Sequence, residues 1–279
     1  MSLSPGVKNM LIATFSFAVM NVCVKFLGEA KFHVAQIILI RSVVSATVCL
    51  YGIRKLGLSP WGVNKKFLLA RGVFGLIALT LYFITLHNMP LASAVTLVYL
   101  SPIFTAVMGI IWLGEKIKPI QWLLFAISFF GLALLKGFDY NIKMTYFIFG
   151  ILAAAFSGVA YTAVRKVKDT DHPYVVVFYF PLIAIPVSLV WSFFEWKSPS
   201  FQQWIILIVI GVCTQIGQYY MAKALQAERA EKVVTLKYIG ALYALIFGYF
   251  LFDESYSVQA LIGIMMVAGG VIINVRLKH

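Results

Sequence analysis

One stretch of this chain is written twice. Val95-Thr96-Leu97-Val98-Tyr99 returns about 139 positions later as Val234-Thr235-Leu236-Lys237-Tyr238, and Gly109, Glu115 and Gly131 return as Gly248, Glu254 and Gly270. Whatever the first half folds into, the second half is expected to fold into again. The copies differ in charge: Glu115-Lys116-Ile117-Lys118 becomes Glu254-Ser255-Tyr256-Ser257, with the lysines gone. Cytoplasmic loops of membrane proteins collect lysine and arginine, so matching loops of unlike charge are expected on opposite sides of a membrane.

The composition requires a membrane. A chain of 279 residues that is 62% hydrophobic and 12% charged, with mean hydropathy +0.92, has too little polar surface to coat a soluble globule. Ten apolar runs have the length that crosses about 30 Å of hydrocarbon as helix. They cover 7–27, 34–56, 67–86, 91–113, 119–135, 145–164, 173–194, 201–225, 233–252 and 257–275. They are continuously apolar and do not alternate, which favours helices over barrel strands. Five spans per half is an odd number, so two copies of a five-helix unit must insert with opposite orientation. The expected fold is therefore an all-α integral membrane protein of ten transmembrane helices in two inverted five-helix repeats, 1–138 and 139–279.

The net charge of +13 reports topology and gives no reason to expect nucleic acid. With both termini cytoplasmic, sixteen basic residues, Arg71 among them, fall in segments on the inside. Five fall outside (Lys25, Lys31, Lys136, Lys143 and Lys197), and Arg41 and Lys237 remain within spans. Cys23, Cys49 and Cys213 lie in different spans without Cys-x-x-Cys spacing or a histidine pair, so neither a disulfide framework nor a metal site is expected. No cleavable signal is apparent, and the first span is expected to stay as an anchor.

Several motifs resemble the drug/metabolite transporter superfamily, specifically its EamA-type permeases. The first half carries Arg71-Gly72, Leu91-Ala92 with Ala94, Ser101-Pro102, Leu113-Gly114-Glu115, Gln121-Trp122 and Gly131; the second carries Glu254, Gly263 and Gly270. The chain departs from the pattern at Leu124, where the family usually has glycine, and at Gly240-Ala241, which replaces a proline-bearing pair. The resemblance implies ten helices, with the fifth and tenth as lipid-facing support. Its substrates would include amino acids, nucleosides, sugars, phosphorylated metabolites and adenosylated sulfonium compounds.

The chemistry-bearing residues fit a carrier. All ten acidic residues fall in loops or at helix ends, so a facilitator or exchanger is expected in place of a proton-coupled pump. Arg41, about seven residues inside its span, and Lys237, about five residues inside its own, are costly there and suit a carboxylate or phosphate in a wet cavity. Snorkelling, or pairing with backbone carbonyls, is the plainer alternative for both. Phe17, Asn21 and Lys25 form one stripe on the first helix, and Gln215, Gln218 and Tyr219 a face on the eighth. With Gln36, Tyr82, Tyr99, Tyr161, Tyr179 and Tyr238, these are the candidate substrate-binding residues. Pro102, Pro181, Pro186 and Gly240 are candidate hinges, because prolines free carbonyls that lipid cannot satisfy. Glu115 and Glu254 are expected to bond free amides at the start of the next helix, with gating as the alternative.

The expected function is alternating-access transport of a small polar metabolite, anionic or zwitterionic, such as an amino acid or a related compound. Export of cationic or drug-like compounds and a non-transporting scaffold are the alternatives. An enzyme is not expected, because His33, His87, His172 and His279 sit at loops or ends and no paired acids lie within spans. No cofactor is expected; the partners are a small-molecule substrate and membrane lipid, with the protein a monomer or a homodimer. The short tails favour a bacterial inner membrane.

Overall fold

The computed structural model describes residues 5–114, 119–137, 143–227, 236 and 239–277. These fold into helices α1 (Pro5–Glu29), α2 (Val34–Lys55), α3 (Lys65–Asn88), α4 (Leu91–Val98), α5 (Ser101–Leu113) and α6 (Pro119–Gly137), followed by α7 (Met144–Lys166), α8 (Pro173–Phe194), α9 (Phe201–Ala227), α10 (Ile239–Phe252) and α11 (Val258–Leu277). Among the described residues, seven helical segments are long and apolar enough to cross a membrane, with α4 and α5 together making one of them. Shorter apolar helices cover Pro119–Gly131, Ile239–Phe252 and Val258–Gly270. The large apolar side chains left exposed, such as Phe193, Phe194 and Phe201, are what a lipid-facing rim requires.

Local chemistry sets the helix ends. The His33 Nδ1 accepts from the Ala35 N–H at the start of α2, and His172 Nδ1 accepts from the Tyr174 N–H at the start of α8. These histidines are repeat equivalents, so the duplication extends down to a cap. Burial, with Lys223 nearby, pushes the His172 imidazole below its ordinary value and keeps that nitrogen free to accept. Asp171 accepts from the Val63 and Asn64 N–H groups at 2.6 and 3.2 Å, closing the entry to α3 from the loop before α8. Gly114, at φ 67°, ends α5 in the left-handed region that favours glycine.

Two proline expectations come out differently. The fourth span breaks at Tyr99 and Leu100, with Pro102 in the first turn of α5, where its missing N–H costs nothing. By contrast α8 runs unbroken through Pro181 and Pro186 and is not interrupted as the sequence suggests. Ser188 and Ser192 donate to the Ala184 and Leu189 carbonyls along this stretch, so polar side chains serve backbone acceptors within the apolar helix.

The halves touch each other reciprocally. Gly72 packs closely on Ile183, and Gly211 on Val44; these are two equivalent pairs with the halves exchanged. The same holds for Gly131 against Val267 and Gly270 against Ser128, which join α6 to α11. At helix scale, α2 packs on its equivalent α8, while α3 on α7 mirrors α1 on α9. Such exchanged contacts are the mark of a two-fold relation. The main apolar core runs through both halves, so neither is a separate globule.

Candidate functional site

Where the halves meet, a cavity opens among α1, α2, α3, α4, α7, α8, α9 and α10. Its space for the centres of water-sized molecules is about 120 Å³. One water needs roughly 10–15 Å³ on that scale, so a small metabolite fits. Helices α6 and α11 contribute nothing to the lining among the described residues.

Two arginines dominate the lining. Arg41 on α2 is 2% exposed, and its Nε and Nη1 have no hydrogen-bond partner among the described residues. Its guanidinium lies over the faces of Phe180 at 4.8 Å and Phe83 at 5.9 Å. Arg71 on α3, 5% exposed, approaches the same Phe180 ring at 5.9 Å and donates from Nη2 to Gln218 Oε1 at 3.1 Å. Gly75 makes room for Arg71 Nη1, since a Cβ there would collide with it. Ring faces attract cations but do not neutralise them, so the site keeps two positive charges in a desolvated setting.

Arg71 corrects the sequence reading, which places it among the cytoplasmic basic residues. It sits four residues beyond the estimated start of its span, where a snorkelling side chain looks the same in sequence. Lys25, counted with the outside residues though its stripe runs along the first helix, lies within α1 and pairs with Glu254 at 2.7 Å, both side chains being 10% exposed.

Of the candidate binding residues, Asn21, Arg41, Tyr82, Tyr99, Tyr161 and Gln218 line the cavity. Asn21 Oδ1, buried in this lining, has no hydrogen-bond partner among the described residues. Among the candidate hinges only Gly240 reaches the cavity, where a Cβ would strike the Tyr99 hydroxyl. The others are engaged elsewhere. Gln36 exchanges two bonds with the Lys197 backbone, at 2.7 and 3.2 Å. Tyr179 donates to the Trp61 carbonyl at 2.7 Å. Gln215 accepts from Ser45 at 2.5 Å, tying α9 to α2, and Tyr219 stacks on Tyr174 at 4.6 Å. Lys237 and Tyr238, like Glu115, lie outside the described residues. Sequence reasoning also passes over Thr14, Ser157 and Thr214, small polar residues in apolar helices that line the cavity.

A second polar cluster closes one end of the bundle. Both Glu254 carboxylate oxygens accept the Leu91 N–H, at 2.9 and 2.8 Å, and Tyr256 donates to the same carboxylate. Lys25 also donates to the Met89 carbonyl at 2.8 Å. Glu254 therefore caps α4 in the other half, not α11, the helix that follows it.

A helical membrane protein with a cationic cavity between two related halves has the build of a small-molecule carrier. The chain belongs to the EamA-like transporter family, whose model matches it twice, over residues 4–136 and 144–276. It is 32% identical to the pseudopaline exporter of Pseudomonas aeruginosa, over 98% of this chain and 94% of that one. It is 23% identical to an S-adenosylmethionine uptake transporter of Rickettsia conorii, over 94% and 89%. It is 26% identical to a riboflavin transporter of Vibrio cholerae, over 80% and 77%. A protein of known crystal structure shares the fold at a TM-score of 0.69 and 16% identity, covering 99% of this chain and 98% of that one.

Proposed function

We propose that the chain is a secondary carrier moving a small polar metabolite, anionic or zwitterionic, such as an amino acid or a related compound, by alternating access. The observation that carries this reading is Arg41: a buried guanidinium with two nitrogens unpartnered among the described residues, facing a cavity with no carboxylate in its described lining. Holding such a charge within a membrane costs a few kcal/mol, which an anionic ligand would offset.

The carrier would have ten spans in two inverted five-helix repeats, 1–138 and 139–279, with both termini in the cytoplasm of a bacterial inner membrane. The reciprocal glycine contacts support this, since exchange of conformation between two such units yields inward-open and outward-open forms. On this topology the Lys25–Glu254 pair and the Leu91 N–H close the outer end, where α1, α4 and the turn before α11 meet.

The test is uptake and counterflow in proteoliposomes with a panel of labelled metabolites. Pseudopaline, for which the 32%-identical relative is named, belongs in the first panel. Arg41→Gln is expected to lower transport of the anionic or zwitterionic substrate roughly tenfold or more. Unchanged transport by this variant, or a preference for cations, would overturn the reading.

A further inference from the structure

The polarity of the cavity is lopsided. Its charged part is made by Arg41 and Arg71 around one phenyl ring. Arg71 donates to the neutral amide oxygen of Gln218, which leaves its charge uncompensated. Among the described residues the single ion pair is Lys25–Glu254, and neither of its members lines the cavity. A ligand with one negative charge would leave one of the two positive charges uncompensated in a low-dielectric space. On α1 the unmet need is of the opposite kind: Asn21 Oδ1 has no partner among the described residues, although it is buried and belongs to the lining. An amide oxygen only accepts, so it can be met only by a donor.

Resting on the carrier reading above, we infer that the substrate is a dianion with a hydrogen-bond donor. Two carboxylates, or comparable anionic groups, engage Arg41 and Arg71, and an N–H or O–H of the same molecule donates to Asn21 Oδ1. Amino acids bearing a second carboxylate, and N-carboxyalkyl amino acids, have this combination. Arg71 is then a specificity residue that separates diacids from their monoamides. Gln218 orients its fork, and Gly75 gives the fork room.

The test uses the purified full-length protein and matched probes: glutamate, 2-aminoadipate and N-carboxymethyl amino acids, each beside its monoamide. Thermal stabilisation and competition against transported substrate are read for each pair. At least one diacid is expected to bind roughly tenfold or more tightly than its monoamide, as a charge-assisted bidentate contact would give. Arg71→Gln is expected to erase that advantage, and Arg41→Gln and Asn21→Leu each to weaken diacid and monoamide alike. Should Arg71→Gln fail to fold, Gly75→Ala, which pushes the fork aside, and Arg71→Lys, which keeps the charge, bracket the same effect. The diacid advantage should shrink in the first and persist in the second. Monoamides that bind as tightly as diacids, or a diacid advantage that survives loss of Arg71, would overturn the dianion inference and leave the anion-carrier reading standing. A panel in which no diacid binds overturns the inference, and binding of cations in its place overturns both.

Discussion

At the scale of single residues, the buried charges decide what can be altered. Lys25→Met would strand the Glu254 carboxylate in a nearly dry site, and removing one partner of a buried pair costs roughly 3–5 kcal/mol. A marked fall in the melting temperature in detergent is expected, with much of it restored in the Lys25→Met/Glu254→Gln double variant. Equal loss in both would show that the pair contributes nothing. Gly240 has a different constraint. Gly240→Ala should displace the Tyr99 hydroxyl and slow transport, and Tyr99→Phe in the same chain should recover it, because the colliding atom is then gone. Arg41 was legible in the sequence because a guanidinium deep in an apolar run has few ordinary explanations. Arg71 was not, because four residues from a span's edge the same group can reach water. Gln36 and Tyr179 were misleading in the other direction. Their partners are backbone carbonyls of Lys197 and Trp61, which only the folded chain brings near.

At the scale of elements, the break between α4 and α5 is where a helix already lacks continuity and could bend at little cost. Pro102→Ala frees φ at the start of α5 and supplies an N–H, so that α4 and α5 can join into one continuous helix. It is expected to leave ligand binding in detergent intact while slowing counterflow roughly tenfold, as stiffening a hinge does. Equal rates for the variant and the parent would remove the hinge role. The unbroken α8 shows why proline alone is a weak signal. In an apolar helix packed on its neighbours, two missing N–H groups do not suffice to end it. The helix spans themselves were legible because hydropathy and length act on every residue of a run. The end cluster was not, because Glu254 and Leu91 are distant in sequence and belong to opposite halves.

At the scale of the whole molecule, the proposed topology has a direct readout. In a chain with Cys23, Cys49 and Cys213 replaced, a cysteine at the exposed Ser198 should react with an impermeant thiol reagent added to intact cells. One at the exposed Ser59 should react only after permeabilisation. Labelling of both from outside would refute the arrangement. The duplication was the most legible property of all, since it needs only a comparison of the chain with itself. What it could not convey is how the copies face each other. In the register of the repeat, the equivalent of Arg41 is Phe180, and those two side chains are in contact at 4.8 Å. A residue that touches its own equivalent lies on the axis relating the halves. Had the molecule been assembled from two identical subunits, that position would have set guanidinium on guanidinium or ring on ring. Two copies free to differ can place a cation against an aromatic there, so this contact at the centre of the cavity is one that divergence of the duplicated halves made available to selection.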